Sequence, residues 1–432
     1  MLLGLAGVAV LALAAPIPHI SAPAVYMNTV APRMKKATYL ANVTNPALTR
    51  DSCGSARVGD RVLWTCRDTE NYDVVARKLQ ALPIVTNTAA WTDLSVHGGP
   101  SLAAGPVGAA SDGVKPILLM YGGDNLTLPA YFPVQETQCP DSGACEDGSR
   151  YAVWHDQPPL ITHQYADGSA IAYTWIPNQQ LKGINTCITE NPSHSLFKQT
   201  YTPSADINAM PHVEVVAPRF YRENQIGFGR YGSMMYNNTA YLYGQTSDRH
   251  TVLARVSADQ IENLSAYEYY QTTTHTWIDT APVFNTSHEA ITTPSSSGTF
   301  VSRIPLIAHI QSSYIIPNAG YGGQGTFYYS SYFSRFIWIG QSSGLDGTSA
   351  HFYITTAPAP EGPWEAPTIL FAGENGDDAI AAAYTLQAHP ALLPSGPEVA
   401  SENGIYVTWT QQWQEGTVAS RYVTPLVWLE FE

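Results

Sequence analysis

The sequence predicts an all-β fold, and three observations carry that prediction. Long helical patterns are nearly absent, and most of the chain reads as short alternating runs broken by Gly, Pro, Asn and Ser. Five of those runs look alike: 61–68 (RVLWTCRD), 169–175 (SAIAYTW), 239–245 (TAYLYGQ), 335–341 (RFIWIGQ) and 404–411 (GIYVTWTQ). Each alternates large apolar with small or polar residues and ends polar. Composition agrees, with 26 Tyr and 10 Trp, residue types that favour strands.

Taken in chain order, the first element is an apolar N-terminus. Met1-Leu2-Leu3-Gly4 through Ala14-Ala15 is short, and it ends in small residues before Pro16. That fits a secretory signal peptide, expected over residues 1–18, followed by a lead-in over 19–45. The positive region ahead of the apolar stretch is only the amino terminus, which leaves a short anchor as the alternative. No second stretch approaches the ~18 apolar residues that span a bilayer.

Arg50-Asp51-Ser52-Cys53 then precedes 61–69 (RVLWTCRDT), so Asp51 and Asp68 flank one short hairpin. Residues 71–82 carry apolar residues at Tyr72, Val75, Ala76, Leu79 and Leu82, a spacing that predicts a short helix. Residues 258–264 predict a turn or two of helix. The last run, 426–431 (LVWLEF), predicts a strand at the extreme C-terminus.

The five similar runs start roughly 70 to 110 residues apart, room for four strands and long loops each. The expected architecture is one five-bladed β-propeller, the terminal strand closing the ring onto the first blade. WD40 blades need only about 40–45 residues, and their signature is missing. A two-sheet sandwich competes, but it would more commonly be smaller or divided by a linker. The one low-complexity patch, 292–297, is too short to be that linker.

Formal net charge is −14 and no basic run appears, which argues against nucleic acid or an anionic membrane as partner. Charged residues are 13%, against roughly 25% in ordinary soluble domains. Polarity must come from Ser, Thr, Asn, Gln and Tyr, or from glycans. N-x-S/T triplets at Asn42, Asn125, Asn237, Asn263 and Asn285 agree with export. Of five cysteines, Cys53 and Cys66 flank the first hairpin. Cys139 and Cys145 share one Gly/Asp/Ser-rich loop. Both pairs are expected as local disulfides in an oxidising compartment, with Cys187 left buried or free. There is no zinc-site spacing, no G-x-S-x-G elbow and no G-x-G-x-x-G opening a helix after a strand.

Several segments resemble a known family. They are 228–233 (FGRYGS), 240–243 (AYLY), 252–256 (VLARV), 265–270 (SAYEYY), Arg50-Asp51 with Asp68-Thr69, the turn 357–364 (APAPEGPW) and 388–390 (AHP). In this order they are similar to a family of five-bladed propellers catalogued as domain of unknown function 4185, which has fungal and bacterial members. The Gly-Pro-Trp turn recurs in glycosidase families forty-three and thirty-two. The resemblance covers most of the chain after residue 45. It implies a propeller related to glycoside hydrolases, some of them endo-D-arabinanases, in a secreted fungal-type member. One residue departs from the pattern: Arg67 stands where relatives commonly carry Gly before the Asp-Thr pair. That side chain either crowds the pocket or pairs with a carboxylate.

Glycoside hydrolysis usually needs two carboxyl groups, one protonating the leaving oxygen and one attacking or activating water. Asp51 is expected as base or nucleophile, with a turn cap as the alternative. Asp68 is expected as proton donor, its pKa raised by burial or by Asp51. Asp156, in 153–159 (VWHDQPP), tunes a pKa or is itself the acid, with Trp154 as a stacking platform. Family forty-three draws its acid from a later blade, which makes Glu223 the alternative acid. Arg50, Arg230, Tyr231 and His389 are expected at the substrate. Asp377-Asp378 is an acidic turn that suits Ca²⁺ but lacks EF-hand spacing. No cofactor is expected beyond a structural Ca²⁺ ion in the channel.

The reading is a secreted monomer that hydrolyses a polysaccharide, arabinan among them, by two-carboxylate catalysis. The low Lys/Arg count suits a neutral or weakly basic polymer. The rival reading is a secreted lectin-like propeller without catalysis.

Overall fold

In a computed structural model the chain is all-β, with only short 3₁₀ turns besides strands among the described residues. The structure describes residues 32–432 apart from 74–75, 77, 81–83, 105–115, 127–128, 140–143, 184–185, 190, 283–311, 345–346, 380 and 416–418. The signal-peptide segment, Asn285 and the patch 292–297 lie outside the described residues.

Five main sheets follow one another along the chain, antiparallel except where Met34–Thr44 of the last pairs in parallel with Pro116–Leu119. Sheet I is Gly54–Val58, Arg61–Cys66 and Thr88–Asp93; sheet II is Leu160–Gln164, Ala170–Pro177, His194–Tyr201 and His212–Tyr221. Sheet III is Gly232–Tyr236, Thr239–Gln245, Thr251–Ser257, Glu268–Gln271 and Thr276–Ile278; sheet IV is Gly322–Ser330, Arg335–Ser342, His351–Ala357 and Thr368–Ala372. Sheet V begins with Ala383–Ala388, Gly404–Glu415 and Pro425–Phe431, and its next strand is Met34–Thr44 from the other end of the chain. Each of the five look-alike runs is the second strand of its sheet.

Two expectations need correction. The C-terminal strand does not join the first sheet. It pairs with Gly404–Glu415 on one side and with Met34–Thr44 on the other, so part of the lead-in is a strand of the last sheet. Where a helix was expected over 71–82, the chain runs in strands Thr69–Asp73 and Lys78–Leu79. Thr69–Asn71 pairs with Leu48–Arg50, and that pairing with a distant segment overrides the local apolar spacing.

The second strands are buried on both sides, which their composition allows. In Arg61–Cys66, Val62, Trp64 and Cys66 pack with Leu392 and Leu426 near sheet V, while Leu63 packs with Ala170 of sheet II. The apolar clusters pair the sheets in sequence. Sheet II meets III around Trp175 and Leu242, III meets IV around Tyr243, Phe327 and Trp338, and IV meets V around Ile337, Phe352 and Trp409. Tyr243 and Phe327 stack with centroids 3.7 Å apart across the seam between sheets III and IV.

The first strands also contact one another in order: Gly54–Val58 with Leu160–Gln164, that strand with Gly232–Tyr236, then Gly322–Ser330, then Ala383–Ala388. The turn Pro390–Leu392, just after the last of them, packs back on Gly54–Val58. At that last seam Ser55 Oγ lies 2.7 Å from His389 Nδ1. The starts of these five strands therefore converge at one end.

Candidate active site

A small sheet of Leu48–Arg50, Thr69–Asp73 and Lys78–Leu79 leads into sheet I. Beyond the Arg50–Thr69 pair, Asp51 N–H donates to Asp68 O (2.9 Å) and Arg67 N–H donates to Asp51 O (2.7 Å). Next in line is the Cys53–Cys66 disulfide. Ladder and disulfide hold the two acids side by side at the convergent end of the first strands.

Their surroundings differ. Asp51 is 8% exposed. Burial pushes its carboxyl from the ordinary 3.8 up to about 6, against Arg67 and the Ser52 hydrogen bond, with Asp68 adding to the rise. Tyr384 also hydrogen-bonds Asp51. Asp68 is ion-paired to Arg150 through both oxygens (Nη2 to Oδ2 3.1 Å, Nη1 to Oδ1 3.5 Å) and accepts from Trp154 Nε1 at 2.8 Å. Trp154 lies flanked by two cations, its ring centre 5.1 Å from the Arg150 guanidinium and 5.8 Å from that of Arg67. Glu70 stands nearby, its carboxyl raised by burial and then by Asp68 and Asp51.

Asp156 is the third acid of the cluster. It accepts from Arg67 Nη2, from Arg230 Nε at 2.5 Å and from Gln324 Nε2 at 3.1 Å. Burial alone would raise it, but Arg230 and Arg67 outweigh burial and hold it at about 2. A carboxyl this acidic is ionised at any ordinary pH and serves as an anchor for two guanidiniums. The departure at Arg67 thus resolves as pairing with a carboxylate. Arg230 is 39% exposed on its side chain and is the more accessible of the two.

The other expected residues lie elsewhere. Glu223 is 43% exposed and ion-paired to Arg219, four residues away; no contact among the described residues joins it to the three aspartates. Arg50 is buried and turned to Met120 Sδ (3.2 Å) and Asp124 (3.2 Å). Tyr231 is buried against Phe327, its hydroxyl accepting from Gly322 N–H at 3.3 Å. His389 has no exposed surface. Its ring nitrogens meet Ser55 Oγ at 2.7 Å and Thr408 Oγ1 at 2.6 Å, and burial lowers it to about 3. All three side chains are buried against these partners and not open at this mouth, which corrects their placement there, although Arg50 Nε is left without a hydrogen-bond partner.

Residues that the sequence did not single out complete the cluster: Ser52, Arg150, Gln324, Tyr384, Thr385 and Tyr422. Burial raises the Tyr422 hydroxyl, with Asp51, Asp68 and Glu70 adding to the shift. Only Gln324 carried a local signal, its position in Gly322-Gly323-Gln324-Gly325. Both expected disulfides are present, Cys53–Cys66 and Cys139–Cys145, and Cys187 is exposed and unpaired. Among the described residues no group of three or more His, Cys, Asp or Glu is placed to hold a metal ion. Asp377 and Asp378 instead accept backbone N–H groups of Gln414 (2.7 Å) and Ala381 (2.9 Å). Of the sequons, Asn125, Asn237 and Asn263 are exposed, and Asn42 lies within strand Met34–Thr44, accepting from the Tyr39 hydroxyl.

Neither a family model nor a curated protein sequence matches the chain. Among solved structures it is similar in fold to a putative hydrolase from Bacteroides ovatus, at 12% identity and a TM-score of 0.52, over 90% of this chain and 87% of that one. Looser overlaps include a family 117 glycoside hydrolase from Zobellia galactanivorans (9% identity, TM-score 0.40, 93% and 91% of the two chains). Another is the catalytic domain of a GH62 α-L-arabinofuranosidase from Coprinopsis cinerea (9%, 0.37, 93% and 97%). Only the first superposition reaches a shared fold, and the likeness is one of fold alone.

Proposed function

We propose that the chain is a five-bladed β-propeller that hydrolyses glycosidic bonds of a polysaccharide, with Asp51 as general acid and Asp68 as base or nucleophile. Sheets I to V are the blades. The order of the apolar clusters and the circuit of first strands support that count, and Met34–Thr44 completes the last blade. The single observation that carries the activity is the adjacency of Asp51 and Asp68 in opposite settings. One carboxyl is buried and titrates near 6; the other is an ion-paired carboxylate. A buried acid with a raised carboxyl beside an ion-paired one suits the division of labour that glycoside hydrolysis requires.

The expected roles of the two acids are thereby exchanged. Burial acts on Asp51, and Arg150 with the Trp154 N–H acts on Asp68. Asp156 anchors Arg67 and Arg230 at the mouth, where the free guanidinium nitrogens of Arg230 meet sugar hydroxyls, and Trp154 offers a ring face. The disulfides and exposed sequons support export to an oxidising compartment as a glycosylated protein.

The test is product release from D-arabinan, L-arabinan, xylan, mannan and glucan by the purified chain, beside Asp51→Asn and Asp68→Asn. Release by the wild type and its loss in both folded variants is the expected result. Activity should fall as pH rises through about 6, where the acid gives up its proton. Binding to one glycan that survives both substitutions, with no release, would replace the hydrolase with a lectin.

A further inference from the structure

A row of side chains joins the two buried carboxyl groups, and its hydrogens can be counted. At one end Asp156, held ionised by Arg67 and Arg230, accepts from Gln324 Nε2 at 3.1 Å. That contact orients the amide, so Gln324 Oε1 faces Thr385. An amide oxygen only accepts, and Thr385 Oγ1, 2.8 Å away, must donate to it. The one hydroxyl hydrogen of Thr385 is then committed. Ser52 Oγ lies 2.8 Å from Thr385 Oγ1, so the hydrogen in that contact must come from Ser52. Ser52 Oγ also lies 2.7 Å from Asp51 Oδ1. With its own hydrogen turned to Thr385, Ser52 meets Asp51 as an acceptor, and the hydrogen between them belongs to Asp51.

An ionised Asp51 breaks this pattern. It would draw the Ser52 hydrogen to itself and leave two hydroxyl oxygens 2.8 Å apart with no hydrogen between them. Each contact in the row is satisfied only when Asp51 carries a proton. The backbone enforces the row: Ser52 (φ 50°) and Thr385 (φ 52°) are both left-handed, an uncommon state for any residue but glycine and most of all for a β-branched one. Ser52 N–H is held by Thr410 Oγ1 at 3.0 Å.

We propose that Ser52, Thr385 and Gln324 are positioning residues that hold a proton on Asp51 at rest, with Asp156 setting the direction of the row. The proposal deepens the reading of Asp51 as the acid and rests on it for its purpose. The charged and titratable groups that face Asp51 are Arg67, Asp68, Glu70, Tyr384 and Tyr422. Arg67, the Tyr384 hydroxyl and a Ser52 hydroxyl donating to the carboxylate favour the anion; Asp68, Glu70 and burial favour the proton, and the row joins them by turning the Ser52 hydrogen away to Thr385.

The experiment is an NMR titration of the full chain labelled with carboxyl-¹³C aspartate, the Asp51 signal assigned by its loss in Asp51→Asn. In wild type that signal should titrate well above the ordinary aspartate range. Thr385→Val frees the Ser52 hydrogen for the carboxylate, and the midpoint should drop by about one pH unit, a tenfold loss of proton affinity. Gln324→Leu lets Thr385 donate back to Ser52 and should give the same drop. Thr385→Ser, which keeps the hydroxyl, should titrate as wild type. A wild-type midpoint in the ordinary aspartate range overturns the proposal without any variant. So does an unchanged midpoint in either Thr385→Val or Gln324→Leu, whichever folds. The readout needs no substrate, so a failed polysaccharide screen and a failed proton-holding row are separate outcomes.

Discussion

Asp51→Asn should make the protein more stable at alkaline pH, the reverse of the usual result for a buried polar substitution. The folded state binds the Asp51 proton more tightly than the unfolded chain does, with a midpoint near 6 against an ordinary 3.8. Between those values the native state holds more protons than the unfolded one, so stability falls as pH rises. The stabilising contribution is complete below the unfolded value and lost once pH has passed the folded one. A gap of about 2.2 pH units corresponds to about 3 kcal/mol, of which roughly 2.5 kcal/mol falls between pH 4 and pH 8. Asparagine at 51 is always neutral, and its amide donates to Ser52 as the protonated acid does. Asp156 stays ionised in both states over nearly all of that range, so it adds almost nothing to the slope. Equilibrium urea unfolding of wild type and Asp51→Asn at pH 4 and pH 8 measures the difference directly. The variant should match wild type within about 0.5 kcal/mol at pH 4 and exceed it by about 2–3 kcal/mol at pH 8. A stability difference that is the same at both pH values would refute the reasoning, because it would mean that Asp51 titrates alike in the folded and unfolded chain.

Asp156→Asn should cost about 3–5 kcal/mol in urea unfolding, because it leaves Arg67 and Arg230 without their shared carboxylate. Reducing the Cys53–Cys66 link, as Cys53→Ser with Cys66→Ser, should cost about 3 kcal/mol, the value for closing a loop of this order. The loss should also disorder the acid pair that the link adjoins, read as lost product release at a temperature where the variant is still folded. Trp154→Phe keeps a ring but removes the N–H on Asp68, and kcat/KM should fall about 10- to 100-fold, the worth of a hydrogen bond to a charged group. Glu223→Gln breaks only an exposed pair with Arg219, and both stability (within about 0.5 kcal/mol) and activity (within about twofold) should hold.

What could be read in the sequence was local, and what could not was long-range. The five second strands are legible because each is buried on two faces and must be apolar in a run of its own. Asp51, Asp68 and the Cys53–Cys66 link are legible together because one hairpin carries them. The stretch 71–82 misleads because its apolar spacing is helical, while Asn71 pairs with Leu48 and Tyr72–Asp73 pair with Lys78–Leu79 as strands. Ser52, Arg150, Gln324 and Thr385 look like ordinary loop and strand residues. Their significance lies in contacts across separations such as the 333 residues between Ser52 and Thr385. The surroundings that lead us to propose exchanged roles for the two acids are hidden for the same reason. Nothing near Asp68 in sequence announces Arg150 or the Trp154 N–H, and nothing near Asp51 announces Tyr384.

The placement of these groups ties chemistry to the closing of the fold. Asp51 and Asp68 enter sheet I, Asp156 precedes sheet II, Arg230 precedes sheet III, Gln324 lies at the start of sheet IV, and Tyr384 with Thr385 opens sheet V. No two neighbouring sheets hold the whole set. The buried acid sits at the seam between the first and last sheets, where Ser52 meets Thr385 and Thr410. Sheet V itself joins the two ends of the chain where Met34–Thr44 pairs with Pro425–Phe431. A partly folded chain with that seam open would leave Asp51 in water, where its carboxyl returns to the ordinary range and is ionised at a pH of about 5, at which the folded protein still holds the proton. The raised Asp51 carboxyl therefore exists only in the fully assembled protein. An increase in the Asp51 titration midpoint during refolding should coincide with formation of the Met34–Thr44 pairing, rather than with the earlier appearance of strand structure.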